Sequence, residues 1–159
     1  MATLRDIVAY VSRNYPYKDE LSNARVTKMI YLADWRSAIT RGEQLTDLEW
    51  EFSHYGPYVK DVKQVAETDS AFEVVPTKNL YGGQKDLIQV ADDITYPSVT
   101  EDEKELLDYV ISSSASKNWD DFVKLVYSTY PIVTQDRFSS LDLVELAKEY
   151  EESIPLLDL

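Results

Sequence analysis

The 159-residue chain is 44% hydrophobic and 28% charged, which is the composition of one globular domain that buries its own core. It has no cysteine, one histidine and four glycines, so disulfides, cysteine metal sites and phosphate-binding glycine loops are excluded. A net charge of −13 disfavours nucleic-acid phosphates and anionic membranes as partners and favours a basic one. The absence of these residues predicts a protein without enzymatic activity, metal or cofactor. The apolar runs are only a few residues long, so no membrane segment is predicted either.

Four elements are predicted in the first half of the chain from the spacing of its apolar residues. They are, in order, helices over residues 3–13 and 22–40, a strand over 48–52 and a helix over 57–67. Thr3 is positioned to cap the first helix, and Gly42 marks the end of the second. Pro57 is expected in the first turn of the third helix, where its missing N–H costs no hydrogen bond.

The second half of the chain is predicted to hold one hairpin and three helices. The hairpin strands are expected over 71–75 and 86–91, and the helices after Thr100, after Asn118 and over 140–151. Pro131 is expected to end the second of these helices. The whole is therefore an α+β, mainly helical single domain over residues 1–152, with a small antiparallel or mixed sheet of about three strands and a C-terminal tail over 153–159.

One motif spans the second predicted helix and the turn that follows the strand. The stretches are Thr27-Lys28-Met29-Ile30-Tyr31-Leu32-Ala33-Asp34 and Tyr55-Gly56-Pro57-Tyr58. This order resembles the Panacea, or SocA-like, antitoxin domain family, whose pattern is K-[LMI]-[LI]-Y-x-A-[DN], a short strand, and then G-P opening a helix. The resemblance implies a cytoplasmic antitoxin, encoded by a bacterium or a prophage, whose partner is a cognate protein toxin from a neighbouring gene.

The resemblance also implies a mechanism, which is neutralisation of the toxin by direct protein–protein binding. The SocA member acts differently, because it delivers its toxin to the ClpXP protease, and proteolytic delivery is therefore one alternative. A second alternative is an acidic mimic of nucleic acid, such as an anti-restriction protein, and a third is an enzyme without a recognisable motif. Some relatives bind their promoter through an N-terminal helix-turn-helix; this chain starts directly with the domain, so direct DNA binding is not expected.

A first set of candidate partner-binding residues combines the motif with nearby aromatic side chains. These residues are Lys28, Tyr31, Asp34, Trp35, Tyr55, Gly56, Pro57 and Tyr58. Tyrosine and tryptophan are enriched at binding hot spots, so this set is compatible with a recognition surface. The structural interpretation, which we favour, is that Tyr31 and Trp35 pack against the strands while Lys28 or Asp34 fixes the turn at Gly56 and Pro57 through hydrogen bonds.

A second set is the acidic partner surface, and its residues are Glu101, Asp102, Glu103, Glu105, Asp120 and Asp121. Basic and acidic side chains balance, nine against nine, as far as Gln64, whereas seven basic and twenty acidic side chains follow it. All of the net charge thus lies in the second part of the chain. It either attracts a basic partner or keeps the helices solvated.

Three remaining features of the sequence are assigned no chemistry. His54 has no partnered nucleophile, so we expect a hydrogen-bonded residue at a strand end and not a general base. The acids from Glu101 to Glu105 lack the alternating ligands and the central glycine of a calcium loop, and acids in a first helical turn complement the helix dipole. The apolar tail over 153–159 fits a linear handle for a partner or protease, a strap on the core, or a frayed end.

Overall fold

The computed structural model describes residues 1–157, and the side chains of residues 1–153. In this part of the chain, seven α-helices surround two small antiparallel sheets. The helices are α1 (Leu4–Asn14), α2 (Asn23–Arg41), α3 (Asp61–Thr68), α4 (Glu101–Ala115), α5 (Trp119–Tyr127), α6 (Tyr130–Thr134) and α7 (Leu143–Leu157). The strands are β1 (Trp50–Ser53), β2 (Gly56–Tyr58), β3 (Phe72–Lys78), β4 (Gln84–Val90) and β5 (Ser140–Leu141). The α+β, mainly helical fold class is confirmed.

Helix α2 is the centre of the fold, and α1, α3, α4 and α7 all pack against it. It carries apolar residues on more than one side, which explains why so many neighbours cover it. Val26, Met29 and Ile30 are fully buried. The Ser22 hydroxyl accepts a hydrogen bond from the backbone N–H of Arg25, which caps the helix, and Gly42 ends it in the left-handed conformation.

The three-stranded sheet has the order β2-β1-β5, so β1 is its central strand. Pro57 lies in β2, opposite Phe52, and α3 begins only at Asp61. The prediction that Pro57 opens a helix is therefore wrong. Because β2 is an edge strand, the sheet tolerates a residue that lacks an N–H.

The second half of the chain confirms the β3–β4 hairpin and corrects two helix limits. Helix α5 ends at Tyr127, and Pro131 lies in the first turn of α6 instead of terminating a helix. Residues 140–141 form β5, which pairs with β1, so the last helix begins at Leu143. A two-residue strand depends on its cross-strand partner and leaves no periodic signal of its own.

The predicted tail over 153–159 lies partly outside the described residues. Its first residue, Ser153, belongs to α7, which the structure follows to Leu157. Among the described residues, no helix combines the length and the apolar character that crossing a membrane requires.

Candidate functional site

Four motif residues of α2 point into the protein and not to its surface. Lys28, Tyr31, Asp34 and Trp35 are between 0% and 7% exposed. This helix face meets β1, α5, α6 and α7 instead of solvent, as the aromatic and hydrogen-bonded contacts below show. The burial agrees with a structural role, but two of the expected contacts are wrong: Asp34 bonds the loop before β1 and not the turn at Gly56, and Trp35 packs on α6 and α7 and not on the strands.

Asp34 joins α2 to the loop that leads into β1. Its Oδ1 accepts the backbone N–H of Thr46 at 3.0 Å. Its Oδ2 accepts the Thr46 hydroxyl at 2.5 Å and the Trp50 indole N–H at 2.8 Å. Burial raises the pKa of Asp34 to about 6, although these donors oppose the shift. A single buried carboxylate thus fixes the loop, the first residue of β1 and the helix together.

Tyr31 and Trp35 hold the same helix against the C-terminal helices. The hydroxyls of Tyr31 and Thr129 are hydrogen-bonded at 2.8 Å. Burial raises the pKa of Tyr31, so its hydroxyl stays protonated. Trp35 stacks on Tyr130 with 6.5 Å between ring centroids and meets Tyr150 of α7 edge-on at 5.8 Å. These aromatic contacts position α6 and α7 on α2.

Lys28 differs from its neighbours because its largely buried side chain carries a cation that has no counterion among the described residues. Its side chain forms no hydrogen bond or ion pair with the residues that the structure describes; its Nζ lies 5.6 Å from the ring centroid of Trp119. Burial lowers the pKa of Lys28 to about 8. A charged group placed in this way costs stability in the free protein.

We expect Lys28→Met to raise the free energy of unfolding at pH 7 by about 1–3 kcal/mol. The native pKa lies below the ordinary value of 10.5, so burying the charged lysine opposes folding at pH 7. That cost disappears in the wild type as the pH rises from about 8 to about 10.5, and the difference between the two proteins should shrink over this range. Urea unfolding at pH 7 and pH 10 measures it; a variant less stable than the wild type at pH 7 would contradict the unpaired-cation interpretation.

The turn residues of the motif divide into two buried and two exposed positions. Gly56 adopts a φ of +98°, and a Cβ placed there would lie 3.3 Å from Cε2 of Tyr127. Pro57 is also buried, whereas Tyr55 is 81% exposed and Tyr58 is 43% exposed. The turn therefore needs a glycine for both conformation and space, and it presents two tyrosines to solvent.

An exposed aromatic cluster, which we name the aromatic tip, consists of His54, Tyr55 and Phe138. The rings of His54 and Phe138 meet edge-to-face with 4.8 Å between centroids, and those of His54 and Tyr55 are 6.3 Å apart. No hydrogen bond to the His54 side chain occurs among the described residues, so the expected hydrogen-bonded histidine is replaced by an aromatic contact. Sequence reasoning missed Phe138, because the strand and the loop that meet here are far apart in the chain.

The acidic residues of the second candidate set lie at the beginnings of two helices. Glu101, Asp102, Glu105, Asp120 and Asp121 are exposed. Glu103 is only 6% exposed, because it accepts the backbone N–H of Thr100 at 2.9 Å in a capping box at the start of α4. The exposed acidic surface therefore consists of five of the six residues, and Glu103 belongs to the fold.

Among the described residues, no group of three or more histidine, cysteine, aspartate or glutamate side chains is arranged to hold a metal ion. The candidate residues thus divide into a buried scaffold, formed by the α2 motif and the Gly56-Pro57 turn, and exposed aromatic and acidic side chains. Exposed groups of these two kinds are suited to contact with another macromolecule.

Comparison with known proteins gives one match. Residues 26–131, two thirds of the chain, match the family model described as antitoxin SocA-like, Panacea domain. No curated protein and no solved structure matches the chain. The matched region includes the motif residues of α2, the turn at Gly56 and the acidic helix starts. The chain belongs to the SocA-like antitoxin family and carries its Panacea domain.

Proposed function

We propose that this chain is the antitoxin of a toxin–antitoxin pair and neutralises its toxin by stoichiometric protein–protein binding. Residues 1–152 act as one binding domain in the bacterial cytoplasm, and the partner is the protein encoded by the neighbouring gene. The observation that carries the proposal is membership of the antitoxin SocA-like family. A non-enzymatic role agrees with this family and with a chain that has a single histidine and no cysteine.

The buried state of the α2 motif supports binding through another part of the surface. Tyr31, Asp34 and Trp35 are occupied by contacts within the fold. A partner would have to unfold the helix to reach them. Contact through the exposed acidic and aromatic side chains requires no such rearrangement, and most rigid interfaces form with little backbone movement.

Charge is expected to accelerate the association. The exposed acids at the starts of α4 and α5 lie in the part of the chain that carries the whole net charge of −13. A toxin that acts on nucleic acid or nucleotides has a basic working surface, and these acids are suited to cover it. Attraction between exposed charges raises the association rate and is screened over a Debye length of about 8 Å at physiological salt.

We therefore expect neutralisation of Asp120 and Asp121, as Asp120→Asn with Asp121→Asn, to slow association with the toxin by about threefold to tenfold at low salt. The triple variant of Glu101, Asp102 and Glu105 should behave in the same way. Surface-immobilised binding at two salt concentrations measures the rates, with circular dichroism to verify folding.

The matched control neutralises two exposed acids of the N-terminal part, as Asp19→Asn with Glu43→Gln. It removes the same charge outside the starts of α4 and α5, and its association rate should stay near that of the wild type. Equal rates for all variants, without a salt effect, would show that the acidic surface serves solubility only.

The proposed function is tested by expressing the neighbouring gene with and without this chain. We expect the neighbouring protein to arrest growth, the chain to restore it, and the two proteins to copurify at a fixed ratio. A neighbouring protein that is harmless, or one that never copurifies with the chain, would contradict the proposal.

A further inference from the structure

The aromatic tip brings two exposed aromatic side chains, Tyr55 and Phe138, together around one histidine ring. Tyr55 is 81% exposed and Phe138 is 68% exposed, and both lie beside the ring of His54. Large aromatic side chains held close together at the surface are typical of binding hot spots, because they bury much area and lose little conformational entropy. The tip therefore has the composition of a binding surface.

Phe138 adopts a backbone conformation that disfavours its own side chain. Its φ is +71°, and it is the only residue other than glycine with a positive φ in the described part of the chain. The neighbouring backbone imposes this geometry: the N–H of Phe138 donates to the carbonyl of Phe52 at 2.6 Å, and the N–H of Phe52 donates to the carbonyl of Ser139 at 2.9 Å. Glycine would satisfy the same hydrogen bonds without strain. Strained backbone conformations of this kind cluster at functional sites, so we infer that the exposed ring of Phe138 has a function.

Negative charge lies at the open end of the hairpin whose turn carries His54 and Tyr55. An open groove of about 500 Å³ is lined by four acids, Asp47, Glu49, Glu51 and Asp61, and by one base, Lys60. None of the four carboxylates has an ion-pair partner within 4.0 Å among the described residues. Glu51 is three residues from His54 along the hairpin, a distance of about 10 Å at the rise of a strand. The open end of the hairpin is thus complementary to a basic partner, about 10 Å or more along the strands from the tip.

We propose that the aromatic tip inserts into an apolar pocket of the toxin and that the acidic groove, at the other end of the same hairpin, binds basic side chains that flank that pocket. This inference rests on the proposed function and names the part of the chain that makes the central contact. An apolar centre with a charged rim is the usual anatomy of a specific interface. The tip provides the slow dissociation, and the acids provide orientation and fast association.

The test compares two tip variants with one control, using the copurified product of the neighbouring gene as the probe. The variants are Phe138→Gly and Tyr55→Ser, and the control is Tyr81→Ser. Tyr81 is 96% exposed in the β3–β4 connection, so the control removes a similar exposed side chain from another hairpin. We expect each tip variant to weaken binding by about 30-fold, mainly through faster dissociation, and the control to bind as the wild type does.

The melting temperature separates a binding role from a structural one. Phe138→Gly removes an unfavourable φ, so its melting temperature should equal that of the wild type or exceed it by about 2–4 °C. Loss of binding in a variant at least as stable as the wild type assigns the ring to the interface. If Phe138→Gly melts at a lower temperature, the ring supports the fold, and the 81%-exposed Tyr55 then decides through its own variant.

The outcomes distinguish this inference from the proposed function. Tip variants that bind like the wild type, while the wild type binds the neighbouring protein tightly, would refute the tip and leave the antitoxin function in place. A wild-type chain that does not bind the neighbouring protein would refute both. Glu49→Gln with Glu51→Gln should slow association and reduce its dependence on salt; an unchanged rate would remove the groove from the interface.

Discussion

Asp34→Ala is expected to lower the free energy of unfolding by about 3–5 kcal/mol. The substitution leaves the backbone N–H and hydroxyl of Thr46 and the indole N–H of Trp50 without their acceptor at a site that is fully buried. Unpaired buried donors cost more than the net value of the hydrogen bonds that they lose. Urea unfolding followed by circular dichroism measures the loss, and an unchanged midpoint would show that the loop before β1 is held by other contacts.

Asp34→Asn is the matched control, because it keeps the size of the side chain and one acceptor oxygen, and we expect a smaller loss. This variant also has no ionisable group at position 34. In the wild type the native pKa of Asp34, about 6, exceeds the ordinary value of 3.8, so the native state binds a proton that the unfolded chain releases. The resulting stabilisation is complete below about pH 4 and is lost as the pH rises through 6, and the wild type should therefore gain up to about 3 kcal/mol relative to the variant on acidification. A constant difference would contradict the raised pKa.

Gly56→Val is expected to destabilise the domain by about 2–4 kcal/mol. Two independent causes add at this position. A φ of +98° is unfavourable for a β-branched residue, and the new Cβ would lie 3.3 Å from the ring of Tyr127. Thermal unfolding of the purified variant gives the shift in melting temperature.

Gly82→Val is the control for the conformational part of this effect. Gly82 has a φ of +81° in the β3–β4 connection, and no heavy atom lies within 4 Å of a Cβ placed there. It should therefore cost less than Gly56→Val, about 1–2 kcal/mol. Equal losses at the two glycines would mean that close packing against Tyr127 contributes nothing.

Local signals predicted the helices well, because caps and apolar spacing act within a few residues. Ser22 and Gly42 delimit α2 in the structure as they do in the sequence, and the helix predicted after Thr100 begins at Glu101. The errors occur where contacts between residues that are distant in the sequence determine the local structure. Pro57 lies in a strand because Phe52 pairs with it, and Pro131 begins a helix instead of ending one.

The candidate site shows the same limit. Lys28, Tyr31 and Trp35 are spaced to share one face of α2, but only their packing against Trp119, Thr129 and Tyr130 shows that this face is buried. Phe138 could not be predicted at all, because nothing in its local sequence indicates a positive φ or a contact with His54.

Substitutions at the buried motif residues and at the exposed residues should affect the protein in different ways. The motif residues that identify the domain fix α2, the loop before β1 and the turn at Gly56. If the chain is the proposed antitoxin, substitutions at Tyr31, Asp34 or Gly56 should therefore reduce its activity by unfolding the chain, whereas Lys28→Met should not. Substitutions in the aromatic tip or at the exposed acids should reduce it while the melting temperature is unchanged.

The central claim, neutralisation by binding, is tested most directly by growth rescue in a bacterial strain that lacks the ClpXP protease. The neighbouring protein and this chain are expressed together, and the amount of the neighbouring protein is followed by immunoblot. If the chain neutralises by binding, we expect full rescue with an undiminished amount of the neighbouring protein, held in a complex with the chain. Rescue that occurs only when the protease is present, and only as the neighbouring protein disappears, would contradict it and identify the chain as a proteolytic adaptor.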